Sequence, residues 1–134
     1  MPQQTIRGAC HCGKVQIEAD LDLDAGTGRC NCSICAKLRA WTCIVKPQAV
    51  RLIAGEDALS SYEWGAKISS RKFCRHCGVH VFGRGYLEEV GGDFCSVNVA
   101  ILDLEPAALE AIPVRYFDGL HNNWLSTPQY KEYL

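Results

Sequence analysis

The sequence contains no long apolar run and no cluster of basic residues, and we expect no secretory leader; each of these features would have suggested a particular class of protein. No stretch of its 134 residues is apolar enough to span a bilayer, and residues 1–7 hold no apolar segment of the kind that a signal peptide needs. Basic and acidic residues nearly balance, at 14 and 15. We therefore expect a cytoplasmic protein with neither a membrane nor a nucleic-acid partner.

Cysteine is the residue that the sequence has in excess, with nine in 134 residues. In a reducing cytosol these cysteines are not expected to form disulfides, and metal ligation is the better interpretation. Hydrophobic residues at 48% and charged residues at 22% are typical of a folded globular protein. Because no linker, internal repeat or break in composition interrupts the chain, we expect residues 1–134 to form a single domain.

Short β-forming segments separated by closely spaced turn signals predict an antiparallel, mainly β domain with one or two short helices. The clearest strand is 15–19, where Val15, Ile17 and Ala19 alternate with polar residues. Further strands are predicted at 41–46, 50–53, 59–64, 68–73, 79–82, 95–99 and 114–117. The other predicted elements are a hairpin or tight bend at Gly65, a Gly-rich connection over 83–93, and helices at 33–40, with Ser33 as a candidate N-cap, and at 106–112.

Two cysteine pairs have the form of a closed metal site. Glycine directly follows the pair Cys10 and Cys12, and it also directly follows the pair Cys74 and Cys77. Lone cysteines are usually buried apolar residues, but two clustered pairs that each precede glycine favour metal binding. Four thiolates can close one tetrahedral site, for which zinc is a better candidate than iron. Such a structural site would tie the first strands to the middle of the chain.

A third cluster has one ligand too few for a closed site. Cys30, Cys32 and Cys35 have C-x-C-x-x-C spacing, and catalytic zinc sites commonly keep three protein ligands and one open position. Cys43 and Cys95 could supply a fourth ligand, but both lie in apolar strand contexts and are interpreted as core thiols. The remaining candidate is His121, a loop residue that could approach the open position. The three-cysteine cluster is therefore the predicted catalytic site.

Several motifs of the chain occur together in one known family. They lie at residues 8–15, 30–35, 55–59 with Tyr62, 73–79, 96–99, 117–119 and 124. On these motifs the sequence resembles the glutathione-dependent formaldehyde-activating enzymes, whose domain is shared with centromere protein V. The resemblance implies a small antiparallel β-tent stapled by zinc. It also implies structural zinc at Cys10, Cys12, Cys74 and Cys77, and catalytic zinc at Cys30, Cys32 and Cys35.

The activity that the resemblance implies is the joining of glutathione to formaldehyde, which gives S-hydroxymethylglutathione and is classed as carbon–sulfur lyase chemistry in reverse. We expect glutathione as the co-substrate and formaldehyde or a related small electrophile as its partner. Two alternatives stay open: a non-catalytic zinc module for protein interaction, and a thiol-redox or metal sensor. The candidates to bind the carboxylates of glutathione are Lys37, Arg39, Lys67, Arg71, Lys72 and Arg75.

Overall fold

A computed structural model of the protein describes residues 3–134. Met1 and Pro2, which begin the segment where no secretory leader is expected, lie outside the described residues. The strands are β1 (Gln4–Ala9), β2 (Gln16–Leu21), β3 (Thr27–Cys30), β4 (Thr42–Val45), β5 (Val50–Ala54), β6 (Leu59–Glu63), β7 (Ser70–Cys74), β8 (His80–Leu87), β9 (Gly92–Asn98) and β10 (Val114–Phe117). Two short α-helices accompany them, α1 (Ser33–Leu38) and α2 (Pro106–Glu110).

The strands form a sheet of three and a sheet of seven. The smaller has the order β1-β2-β5, and the larger has the order β10-β3-β4-β9-β8-β7-β6. All pairings are antiparallel except that of β10 with β3, which is parallel. The prediction of a mainly β, antiparallel fold with two short helices is confirmed. Between residues 3 and 134, no helix has the length and apolar character to cross a membrane.

The core lies between the two sheets and follows from the alternation of apolar residues. Ile17 and Ala19 of β2 are fully buried, and they belong to the same apolar cluster as Val81 of β8 and Val97 of β9. Burying a side chain such as that of Ile17, Val81 or Val97 stabilises the fold by about 1.5–3 kcal/mol. The half-buried strand predicted at 15–19 is therefore the inner strand that packs the smaller sheet against the larger one.

The Gly-rich connection predicted over 83–93 is wrong, because most of it is strand. β8 runs through Leu87 and β9 begins at Gly92, which leaves a short turn over 88–91. A Cβ atom on Gly83 would lie 2.6 Å from Ser96 Oγ, and one on Gly85 would lie 2.7 Å from Phe94 Cζ. These glycines mark close packing across the sheet, where a larger residue would not fit, rather than a loop.

Three further details differ from the sequence-based expectations. The strands β1 and β3 were not predicted, because both are short and contain glycine and polar residues. The N-cap of α1 is Cys32 and not Ser33, which is already helical. Because Cys32 is the N-cap, α1 begins directly at the cysteine cluster. The strand predicted at 68–73 begins only at Ser70, after the turn that follows β6.

Candidate metal centres and active-site cavity

The four cysteines predicted to share one site come together in the structure. The Sγ atoms of Cys10, Cys12, Cys74 and Cys77 all lie within 4.8 Å of one another. Cys12 Sγ is 3.6 Å from both Cys10 Sγ and Cys74 Sγ. A tetrahedral zinc ion with Zn–S bonds of about 2.3 Å would place its sulfur ligands about 3.8 Å apart. The four-sulfur cluster therefore has the size and the donor chemistry of a zinc site.

Two similar turns hold these sulfurs. After Cys10, the Val15 N–H donates to Cys10 Sγ over 3.3 Å, and after Cys74 the Gly78 N–H donates to the Cys74 carbonyl over 2.7 Å. Gly13 and Gly78 both have left-handed backbones, with φ of 81° and 78°, which explains the glycine after each pair. The N–H groups of Cys12 and Val79 lower the pKa of the Cys77 thiol to about 6, so a metal-binding thiolate forms easily there.

The second cluster, here called the trio, consists of Cys30, Cys32 and Cys35. Cys30 ends β3, Cys32 precedes α1, and Cys35 lies in its first turn, so one short chain segment positions all three. Their Sγ atoms lie within 4.8 Å of one another, and the Cys32 N–H donates to Cys30 Sγ over 3.3 Å. Within residues 3–134, the group contains these three ligands and no fourth.

Electrostatics make the trio a receptive site for a cation. Hydrogen bonds from the Cys30 and Cys35 thiols lower the pKa of Cys32 to about 2, whereas hydrogen bonds with Cys30 and Cys32 raise the pKa of Cys35. Three adjacent sulfurs therefore compete for one negative charge, and a divalent cation would allow all three to ionise. The donor set fits zinc, and metal binding at both clusters stays a prediction.

A carboxy-terminal loop is tied to the trio through Asn31, which is 5% exposed. Its Nδ2 donates to Asp118 Oδ1 over 2.9 Å, and its Oδ1 accepts from the Leu120 N–H over 2.9 Å. His121 Nδ1 lies 2.9 Å from both carboxylate oxygens of Asp118, and the His121 side chain is otherwise exposed. His121 therefore pairs with this loop and does not join the group of potential metal ligands.

Gly119 brings the same loop against the trio. A Cβ atom at this position would lie 2.7 Å from Cys30 Sγ and 2.6 Å from Trp124 Cη2. In the neighbouring strand, a Cβ on Gly28 would lie 2.6 Å from Phe117 Cε2. The motif at 117–119 and the tryptophan at 124 are thus explained by close packing beside the trio, of Phe117 against Gly28 and of Trp124 against Gly119.

The trio opens into a cavity of about 720 Å³. Aromatic side chains form much of its wall, namely Trp64, Tyr86, Phe94, Phe117 and Trp124. Of the six cations predicted as candidate carboxylate ligands, only Arg71 lines the cavity, and Arg115, which was not among them, lines it as well. Arg71 also donates from Nη2 to Cys35 Sγ over 3.2 Å. The cavity is in the size range of small-molecule sites.

The two remaining cysteines lie in the core. Cys43 is 4% exposed and Cys95 is 2% exposed, and neither belongs to a group of potential metal ligands within the part of the chain that the structure describes. Burial, with a smaller contribution from Asp22, raises the pKa of the Cys43 thiol to about 11. A neutral, buried thiol agrees with their interpretation as core residues.

These features define a class of mainly β proteins in which a compact four-cysteine cluster accompanies a three-cysteine cluster that faces a cavity. The family model for glutathione-dependent formaldehyde-activating enzymes matches residues 5–116. The chain therefore belongs to that family, which confirms the resemblance seen in its motifs.

Individual relatives support the same family. The chain is 36% identical over 80 residues to a protein of Penicillium rubens and 35% identical over 80 residues to one of Pyrenophora teres f. teres, both provisionally named glutathione-dependent formaldehyde-activating enzymes. These matches cover 56% of the chain but only 41% and 42% of the relatives, so they span less than half of those proteins. A crystal structure of a Rhodobacter sphaeroides protein is similar at a TM-score of 0.67 and 32% identity, over 81% of this chain and 98% of that one.

Proposed function

We propose that this protein joins glutathione to formaldehyde or a related small electrophile in a zinc-dependent, carbon–sulfur lyase-type reaction. The observation that carries the proposal is the trio, whose three sulfurs face a cavity of about 720 Å³ and have no fourth ligand among the described residues. The family's name and the names of the fungal relatives point to the same substrates. We further infer that residues 1–134 form a single domain that works in the cytoplasm.

The two clusters would have different tasks. Cys10, Cys12, Cys74 and Cys77 would hold a structural zinc ion that fixes the start of the chain to the end of β7. The trio would hold the second ion. When bound there, zinc would supply the positive charge that keeps the sulfur of glutathione ionised beside the aldehyde.

The reaction needs no oxidant or reductant. The sulfur of glutathione forms a bond to the carbonyl carbon of formaldehyde, and the π electron pair of the C=O bond goes to oxygen. That oxygen takes up one proton and the thiol loses one, so the total number of protons does not change. The chain's part is to hold both reactants in one geometry. Arg115, an exposed cation on the cavity wall, is suited to bind a carboxylate of glutathione.

A metal count combined with glutathione titration tests this function. The matched variants are Cys32→Ala, which removes a potential ligand of the trio, and Cys95→Ala, which removes a core thiol outside both clusters and outside the cavity wall. We expect two zinc ions per chain and glutathione binding in the wild type and in Cys95→Ala. In Cys32→Ala we expect one zinc ion and no glutathione binding. If glutathione at millimolar concentration does not bind the zinc-loaded wild type, the proposed function is wrong. The alternative of a non-catalytic zinc module for protein interaction is then favoured.

A further inference from the structure

Arg71 contacts the trio from outside the set of potential ligands. We propose that Arg71 is a positioning residue for the glutathione sulfur, because its guanidinium offsets negative charge on Cys35 and so lets the trio accept the glutathione thiolate as a fourth anionic sulfur. The inference rests on the proposed function and adds to it a residue that acts through Cys35 rather than on the substrate itself.

Three contacts hold the guanidinium in place. Nη2 donates to Cys35 Sγ over 3.2 Å, and Nη1 donates to Ser96 Oγ over 3.3 Å. The Cζ atom lies 5.8 Å from the ring centroid of Trp64, within range of a cation–π interaction. A side chain with this many fixed contacts loses little further entropy when a ligand binds. The orientation of Arg71 toward Cys35 is therefore built into the free protein.

The larger sheet is shaped to admit this side chain. Arg71 of β7 is paired with Gly83 of β8, which is paired with Ser96 of β9, so the three residues form one row across the sheet. A Cβ atom on Gly83 would lie 2.5 Å from Arg71 Nη1 and 2.6 Å from Ser96 Oγ. Gly83 does not have a left-handed backbone, so the backbone conformation does not require glycine there. Glycine instead leaves room above the sheet for the side chain of Arg71.

The charge of Arg71 is not cancelled elsewhere. Of the ion pairs found within residues 3–134, none includes Arg71. Burial and the nearby Arg71 charge lower the pKa of His80 to about 4, so His80 adds no second positive charge at neutral pH. The single guanidinium is thus the cation that faces the trio from β7.

Charge balance explains why a thiol-binding site would need this cation. Three thiolates exceed the charge of one zinc ion by one, and a bound glutathione thiolate would raise that excess to two. A guanidinium that donates to one thiolate removes one unit of the excess through a charge-assisted hydrogen bond. Mutation of a residue that donates a hydrogen bond to a metal ligand typically lowers metal affinity or activity by about 10- to 100-fold.

Two variants test the inference in complementary ways. Arg71→Met removes the charge, whereas Gly83→Ala keeps the charge but forces the guanidinium away from its place. We expect both to weaken glutathione binding to the zinc-loaded protein by about 10- to 100-fold. Arg71→Lys, which keeps a charge without the planar fork, should recover part of that loss. Arg84→Met, which removes an exposed arginine adjacent to Gly83 in β8, is the matched control and should bind as the wild type does.

A spectroscopic readout separates an effect on Cys35 from a general loss of structure. With cobalt(II) added to the trio, loss of the Arg71 hydrogen bond makes the Cys35 sulfur a stronger donor, so the sulfur-to-metal charge-transfer band should move to lower energy in Arg71→Met and Gly83→Ala. The same band should be unchanged in Arg84→Met. Cys32→Ala supplies the signal of the four-cysteine site alone.

The outcomes distinguish the two proposals. If the wild type binds no second metal ion or no glutathione, the proposed function fails. If the wild type binds both, and Arg71→Met and Gly83→Ala match it in affinity and in band position, the role of Arg71 is refuted while the proposed function stands. If Arg71→Met also loses zinc from the four-cysteine site, Arg71 is a structural residue and the inference is overturned.

Discussion

Gly119 sets the distance between the trio and the loop that covers it, so one added methyl group tests how that packing supports the site. In Gly119→Ala the new Cβ would lie 2.7 Å from Cys30 Sγ and 2.6 Å from Trp124 Cη2, closer than real Cβ contacts allow. Gly119 is not one of the glycines with a left-handed backbone, so alanine adds no backbone strain. The whole effect must come from displaced side chains.

Overpacking of this kind costs about 1–3 kcal/mol. Trp124 is only half-buried and can move outward, whereas Cys30 is held at the end of β3. We therefore expect a Tm lower by about 3–10 °C, which corresponds to that cost in a chain of this length. Each 1.4 kcal/mol of strain that metal binding has to relieve at Cys30 would weaken the affinity of the trio for zinc about tenfold.

The assay is thermal unfolding together with chelator competition for zinc. Gly65→Ala is the control, because Gly65 has a φ of 57° and no atom lies within 4 Å of the position that an added methyl group would take. It should lose about 1–2 kcal/mol through backbone strain alone and keep the zinc affinity of the trio unchanged. If Gly119→Ala and Gly65→Ala bind zinc equally well, the loop does not support the trio and this reasoning is refuted.

Two further predictions concern stability. Cys74→Ala should lose one zinc ion and the cooperative thermal transition, measured by metal analysis and circular dichroism. Cys95→Ala should lose only a buried thiol and keep both zinc ions. Equal behaviour of the two variants would contradict a structural four-cysteine site. Hydrogen bonds from Arg51 lower the pKa of Asp20 to about 2, below its usual value of 3.8, so its stabilising effect should be complete above about pH 4 and lost as the pH falls toward 2. In Asp20→Asn that acid-side decline of Tm should be shallower, and an unchanged profile would exclude the ion pair as its cause.

The parts of the site that could be predicted from the sequence are those that short chain segments determine. The spacing of Cys30, Cys32 and Cys35 places three sulfurs around the start of one helix, and the structure keeps them together. The turns after Cys10 and Cys74 are local as well, and their glycines are left-handed. Local backbone geometry decides such ligand clusters before the rest of the fold does.

The surroundings of the trio depend instead on contacts between distant segments. The segment 117–124 reaches Cys30 through the parallel pairing of β10 with β3, which no feature of either short strand indicated. Arg115 enters the cavity by the same route, and for this reason it was not among the six predicted cations. Local patterns therefore predicted the cysteine clusters but not the walls of the cavity.

Arg71 shows which sequence signal could have predicted more. It lies 36 positions from Cys35 along the chain, and nothing in its own segment separates it from Lys72. In β8, however, Gly83 and Gly85 alternate with large residues, and such a period of two places both glycines on one face of a strand. A strand with one face reduced to glycine has to receive side chains from its neighbours. If residues 83–87 are interpreted as a strand rather than as a loop, the pattern predicts that a large side chain from β7 or β9 lies above this face. In the structure that side chain is Arg71.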